Sequence, residues 1–145
     1  MAEQAVTEGE ALWTREPKRC CERRKVWPLE QHLSGYDAWI TAIRRDQTAA
    51  RADARAIEWD SRFRLVKVNP LVRWSKAQVW DYIHDHEVPY NLLHDRGFPS
   101  IGCLPCTSAV ASGEDDRAGR WRGTGKTECG LHLRASASGP ARQVS

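Results

Sequence analysis

The placement of the cysteines constrains this chain more than any other feature. All five lie in three short stretches. Cys20-Cys21 is an adjacent pair, Cys103-Leu104-Pro105-Cys106 carries two thiols on a short turn, and Cys129 stands alone near the C-terminus. That arithmetic suggests four ligands and one reactive group. Four thiolates hold either zinc or an iron–sulfur cluster. A zinc module normally offers two short Cys-x-x-Cys knuckles, whereas here one pair is adjacent. Adjacent side chains diverge in a helix or a strand, which suits separate irons of a bulky cluster better than one tetrahedral ion. Zinc, and thiols without a metal, remain the alternatives.

Cys129 has a different setting. Gly130 follows it, Lys126 lies three residues before and His132 three after, in a segment expected to be mobile. A neighbouring cation or imidazole raises the thiolate fraction, and the thiolate is the nucleophile. A lone cysteine near a terminus is more often inert, so its position beside a four-thiol site carries the argument.

The bulk numbers set outer limits. A length of 145 residues suffices for one domain with a real core. A formal charge of +3 is too small to argue for nucleic acid. Arginines cluster over residues 15–25 and 44–55, either as a solvated face or as a site for a small anion. No apolar run approaches the roughly 20 residues of a membrane span. The polar, acidic start lacks the layout of a signal peptide, so a cytoplasmic, reducing location is expected, where clustered cysteines bind metal or react. The seven tryptophans are assigned no chemistry.

The local pattern predicts an α/β chain. Residues 1–11 read as a disordered lead-in and 134–145 as a disordered tail. A short helix near residues 26–33 should break or restart at Pro28. Residues 38–43 form a compact apolar run of strand length, read as a buried strand. Residues 44–48 follow it, at the strand end where open α/β sheets place ligands. Residues 49–56 read as a loop. Residues 57–60 and 65–68 alternate as two strands, with 61–64 as a hairpin turn. A helix is expected over 76–86, with Ser75 and Gln78 as capping box, Trp74 and Val79 as staple, and Val79, Trp80 and Ile83 as its apolar stripe. Pro89 stops it, and the chain is loop-rich through residue 107.

Several stretches together carry a family resemblance. They are Arg19-Cys20-Cys21-Glu22-Arg23-Arg24-Lys25, Gly35-Tyr36-Asp37-Ala38-Trp39-Ile40-Thr41, Arg44-Arg45-Asp46-Gln47, Asn69-Pro70-Leu71, Pro89-Tyr90-Asn91 and Leu93-His94-Asp95. Ser100-Ile101-Gly102-Cys103-Leu104-Pro105-Cys106-Thr107 and Glu128-Cys129-Gly130-Leu131-His132 complete the set. In this order the chain resembles the assimilatory adenylyl-sulfate reductases of the APS/PAPS reductase family over residues 12–133.

The resemblance implies that Cys20, Cys21, Cys103 and Cys106 bind a [4Fe-4S] cluster, and that the cluster goes with adenylyl sulfate as substrate. It implies Cys129 as the catalytic nucleophile and Lys25, Arg51, Arg117 and Arg120 as the substrate-binding cations. The implied enzyme is adenylyl-sulfate reductase (thioredoxin), an oxidoreductase of sulfate assimilation and cysteine biosynthesis. It reduces adenylyl sulfate to sulfite and AMP through a Cys-S-sulfonate, with thioredoxin as partner. The implied fold is the C-terminal part of a PP-loop-type, adenine nucleotide alpha hydrolase-like parallel sheet. No Ser-Gly-Gly-x-Asp-Ser phosphate loop occurs here, and Ala42 replaces a glycine usual in the family. The expectation is therefore a chain lacking the N-terminal phosphate-loop half. The alternative is an iron–sulfur or zinc-binding remnant or half-subunit that needs a separate nucleotide-binding chain. A homo-oligomer or a complementing N-terminal half is the expected assembly.

Overall fold

The computed structural model describes residues 2–132, so the tail expected at 134–145 lies outside the described residues. These divide into two compact units, one drawn from Met1–Leu29 and Lys76–Leu131, the other from Glu30–Ser75 and His132–Ser145.

The first unit begins with three short helices, α1 (Ala2–Glu8), α2 (Leu12–Arg15) and α3 (Pro17–Cys21). Within the stretch expected as a disordered lead-in, residues 1–11, α1 occupies 2–8. Charge holds it down: Glu8 pairs with Arg19 at 2.7 Å and Arg23 at 3.4 Å. Gln4 Nε2 donates to Cys20 Sγ at 3.7 Å.

The helical run does not break at Pro28. After α3 the chain makes a π turn, Glu22–Val26, and continues as α4 (Trp27–Leu33). Trp27 N–H donates to Glu22 O, five residues back. Proline supplies no N–H and its ring crowds the carbonyl four residues earlier. The wider turn ahead of Pro28 accommodates both defects, so the helix restarts there, one of the two outcomes expected.

Later in this unit, α5 spans Lys76–Asp85. Val79, Trp80 and Ile83 are its half-buried residues and the rest are exposed, which is the expected stripe. Trp80 packs edge-on against Tyr90 and His94, with centroids 5.1 and 5.3 Å apart. Glu87, left-handed at φ 51°, ends the helix ahead of Pro89.

The second unit carries a three-stranded sheet in the order β1 (Ala38–Ile40), β3 (Leu65–Val68), β2 (Ile57–Asp60). β1 and β3 are parallel, β2 and β3 antiparallel. The sheet is thus mixed, a correction to the parallel expectation; strands joined by a four-residue turn run antiparallel. That turn is built by Asp60, whose Oδ1 accepts from Arg62 N and Phe63 N at 3.1 and 3.2 Å. Arg64 closes it at φ 59°.

The buried strand expected at 38–43 shortens to three residues, and Ala38 and Ile40 are exposed. Ile43 leaves the sheet to pack with Ala54 and Val72. The register puts Ala38, Ile40, Ile57, Trp59, Val66 and Val68 on one face and Trp39, Glu58 and Lys67 on the other. Lys67 and Glu58 form a largely buried ion pair at 3.3 Å.

Candidate functional site

Four of the five thiols gather in the first unit. Cys20 and Cys21, both 6% exposed, end α3 and precede the π turn that carries Lys25. Cys103 and Cys106 flank a 3-10 turn, Leu104–Cys106, with Pro105 in its first positions. Thr107 closes this loop: its Oγ1 donates to Cys103 O at 2.9 Å and accepts from Gly102 N at 3.0 Å.

The Cys106 thiol reports the gathering. Its pKa is pushed up, first by burial, then by Cys103, Cys21 and Cys20, while the Lys25 ammonium opposes the shift. Cys106 therefore lies within electrostatic reach of the other three thiols and of Lys25. All five cysteines are free thiols. Among the described residues, no group of three or more His, Cys, Asp or Glu is arranged to hold a single metal ion.

The turn segment after residue 117 braces the thiol loop. Thr107 and Arg120 form an antiparallel bridge. Ser108 N donates to Gly119 O at 2.9 Å and Trp121 N to Cys106 O at 3.1 Å. Arg120 reaches back over Gly102: its Nη1 donates to Ile101 O at 3.1 Å and Ser100 Oγ at 3.3 Å. A Cβ on Gly102 would run into the Arg120 guanidinium, so a side chain there would displace Arg120.

Cys129 is half-buried, between buried Glu128 and Gly130. Its segment is tethered by Arg117, whose Nη2 donates to Thr127 O at 2.8 Å and lies 3.5 Å from Glu128 Oε2. Lys126 Nζ donates to Pro17 O at 3.0 Å, tying the same segment to α3. His132 belongs to the second unit, stacked on Trp39 with centroids 5.7 Å apart.

The four cations expected at the substrate have unequal settings. Lys25 is half-buried beside the thiols. Arg117 and Arg120 hold backbone carbonyls on either side of the site. Arg51 lies in the second unit, 7% exposed, with Nη1 donating to Gln47 Oε1. Gln47 Oε1 also accepts from Arg44 N at 3.0 Å, so the Arg-Arg-Asp-Gln stretch builds the turn that buries Arg51.

Sequence reasoning passed over Trp121. Its ring is 4% exposed and faces Arg120, Lys126 and Arg117 at 4.4, 5.5 and 5.9 Å. The only available signal was its place between the Arg117–Arg120 cations and Lys126.

The model of the phosphoadenosine phosphosulfate reductase domain matches residues 1–109. The chain belongs to this reductase family. Two relatives named adenosine 5'-phosphosulfate reductase agree. The protein of Oceanobacillus iheyensis is 54% identical over 132 residues, covering 91% of this chain and 55% of its own length. That of Geobacillus thermodenitrificans is 51% identical over 133 residues, covering 92% and 57%. A solved reductase of the family, the phosphoadenylyl-sulfate (PAPS) reductase of Candida auris in its phosphate complex, superposes with a TM-score of 0.61. It is 33% identical and covers 75% of this chain and 51% of that one. The chain spans about half the length of the curated relatives it matches. Among the described residues, no helix is long and apolar enough to cross a membrane.

Proposed function

We propose that this chain carries the thiol chemistry of an adenylyl-sulfate reductase, reducing adenylyl sulfate to sulfite and AMP with thioredoxin as reductant. The observation that carries the reading is that Cys103, Cys21, Cys20 and Lys25 all lie near enough to Cys106 for their charges to act on its thiol, while Lys126 ties the Cys129 segment to α3. The names of relatives that are about half identical support it. The Cys129 thiolate attacks the sulfur of the sulfate group, and AMP leaves with the electron pair of the broken S–O bond. The enzyme is left as a Cys-S-sulfonate. A thioredoxin thiolate then attacks Cys129 Sγ and expels sulfite, giving a mixed disulfide. The second thioredoxin thiol resolves it, leaving oxidised thioredoxin and a free Cys129.

The four-thiol set fits a [4Fe-4S] cluster, in which each iron takes one sulfur and the sulfurs need not meet at a point. Bound there, the cluster would supply a compact iron centre beside Lys25, joining α3 to the 103–106 loop. Lys25, Arg117 and Arg120 are the cations proposed for the charged oxygens of the substrate, since guanidinium and ammonium groups clamp such oxygens. Arg51 is proposed on the resemblance alone. A reducing, cytoplasmic setting is proposed on the clustering of the cysteines alone.

A second reading follows from the length: the chain acts as a half-subunit that needs a separate nucleotide-binding portion. One experiment separates the two. Anaerobically purified protein is mixed with adenylyl sulfate, with and without the portion of the Oceanobacillus relative outside the aligned region, and peptides are read by mass spectrometry. One SO₃ group on Cys129 is expected, with iron present in the wild type and sharply reduced in Cys103→Ser and Cys21→Ser. An adduct only when the added portion is present selects the second reading. An adduct on another cysteine removes Cys129 from the role.

A further inference from the structure

We propose that Trp121 is a positioning residue that transmits the occupancy of the four-cysteine site to the segment bearing Cys129. The inference rests on the cluster and nucleophile assignments above and adds the path between them.

Three cysteine-bearing segments are tied to Trp121, one by its backbone and two through cations over its ring. The first is the thiol loop: Trp121 N donates to Cys106 O at 3.1 Å, and Arg120, stacked on the ring at 4.4 Å, holds Ile101 O. The second is α3, reached through Lys126, whose ammonium lies 5.5 Å from the ring centroid and donates to Pro17 O. The third is the Cys129 segment, reached through Lys126 itself and through Arg117, 5.9 Å from the centroid and bonded to Thr127 O.

The backbone of Trp121 is held at φ 48°. A bulky residue there is a strained exception, and such strain persists only where the surroundings impose it. Here they do, because the indole must face three cations while the backbone N–H of Trp121 reaches Cys106 O. Cations over a buried indole are held more strongly than over an exposed one. Filling the four-cysteine site fixes the 103–106 loop, which fixes Trp121 and with it the Arg117 and Lys126 tethers. Emptying the site loosens all three segments, and Cys129 becomes more accessible.

The test uses the full chain, purified anaerobically with its iron and compared with the same protein after iron removal. Alkylation of Cys129 by iodoacetamide is followed by mass spectrometry, and iron content is measured in parallel. In the wild type, iron removal should accelerate Cys129 alkylation about ten-fold, the scale set by losing cation–indole contacts. Trp121→Phe keeps an aromatic face and should keep the acceleration. Trp121→Leu should alkylate fast in both states. If Trp121→Leu fails to retain iron, Arg117→Met decides: it cuts one tether with the indole in place and should react fast with iron bound. Iron retention with an unchanged wild-type response in Trp121→Leu, or in Arg117→Met, overturns the proposal and leaves the cluster assignment standing. A wild type that binds iron without any response also overturns it. A wild type without iron overturns the cluster assignment and the coupling together.

Discussion

Gly119 and Gly102 are the residues on which the brace around the thiol loop depends, and they depend on it differently. A Cβ at Gly119 would meet Ser108 O at 2.0 Å, a backbone atom of the adjoining segment. At Gly102 it would meet the Arg120 guanidinium, the end of a flexible side chain, though one held by Ile101 O and Trp121. Gly119→Ala should therefore destabilise more, by about 2 kcal/mol or above, and Gly102→Ala by about 1 kcal/mol, with Arg120 displaced. Thermal melting of the two variants checks the order, and a reversal would mean that Arg120 is the more rigid neighbour. At this scale the sequence was informative for chemistry and poor for support. The spacing of Cys20, Cys21, Cys103 and Cys106 raised the expectation of a four-thiol site. Trp121 and Glu128 left no such mark, because a residue's value as a brace depends on what long-range folding sets beside it.

Among the elements, the β2–β3 hairpin was legible because its signals are local: alternation on both sides of a turn that Asp60 caps. β1 was misjudged in length and burial, since an apolar run reads the same whether it pairs in a sheet or turns away to pack, as Ile43 does. The hairpin also holds the Glu58–Lys67 pair. Burial pushes the Glu58 carboxyl up, but hydrogen bonds from Arg55 N and Asn69 Nδ2, with the Lys67 charge, hold it below the usual range. A depressed carboxylate contributes stability above its unfolded value and loses it as pH falls through the folded one. Glu58→Gln leaves Lys67 buried without its counter-ion and should cost about 3 kcal/mol at neutral pH. Denaturant unfolding should show that gap narrowing below about pH 4, as the wild-type carboxyl protonates too. A gap constant with pH would mean that shape, and not charge, is what Glu58 contributes.

For the molecule as a whole, the sheet has two unlike faces. One is closed by Trp39, Glu58 and Lys67. On the other, Ile40, Ile57 and Trp59 are 73%, 67% and 64% exposed, and Val66 joins them. Soluble monomers seldom expose so continuous an apolar patch. The sequence hid this. The same alternation that marks β2 as a strand says which residues share a side, and nothing about what covers it. If the face is open in solution, Ile57→Lys and Trp59→Lys remove apolar surface without breaking any packing. Stability should then change by no more than about 0.5 kcal/mol, the range for surface substitutions. Binding of a hydrophobic fluorescent dye should fall in each variant and fall further in the double variant. The measurement pairs dye titration with thermal melting and sedimentation. A lysine variant that melts markedly lower, or that changes the sedimenting species, would show that the face is covered in solution and that the open sheet is not the working state of the protein.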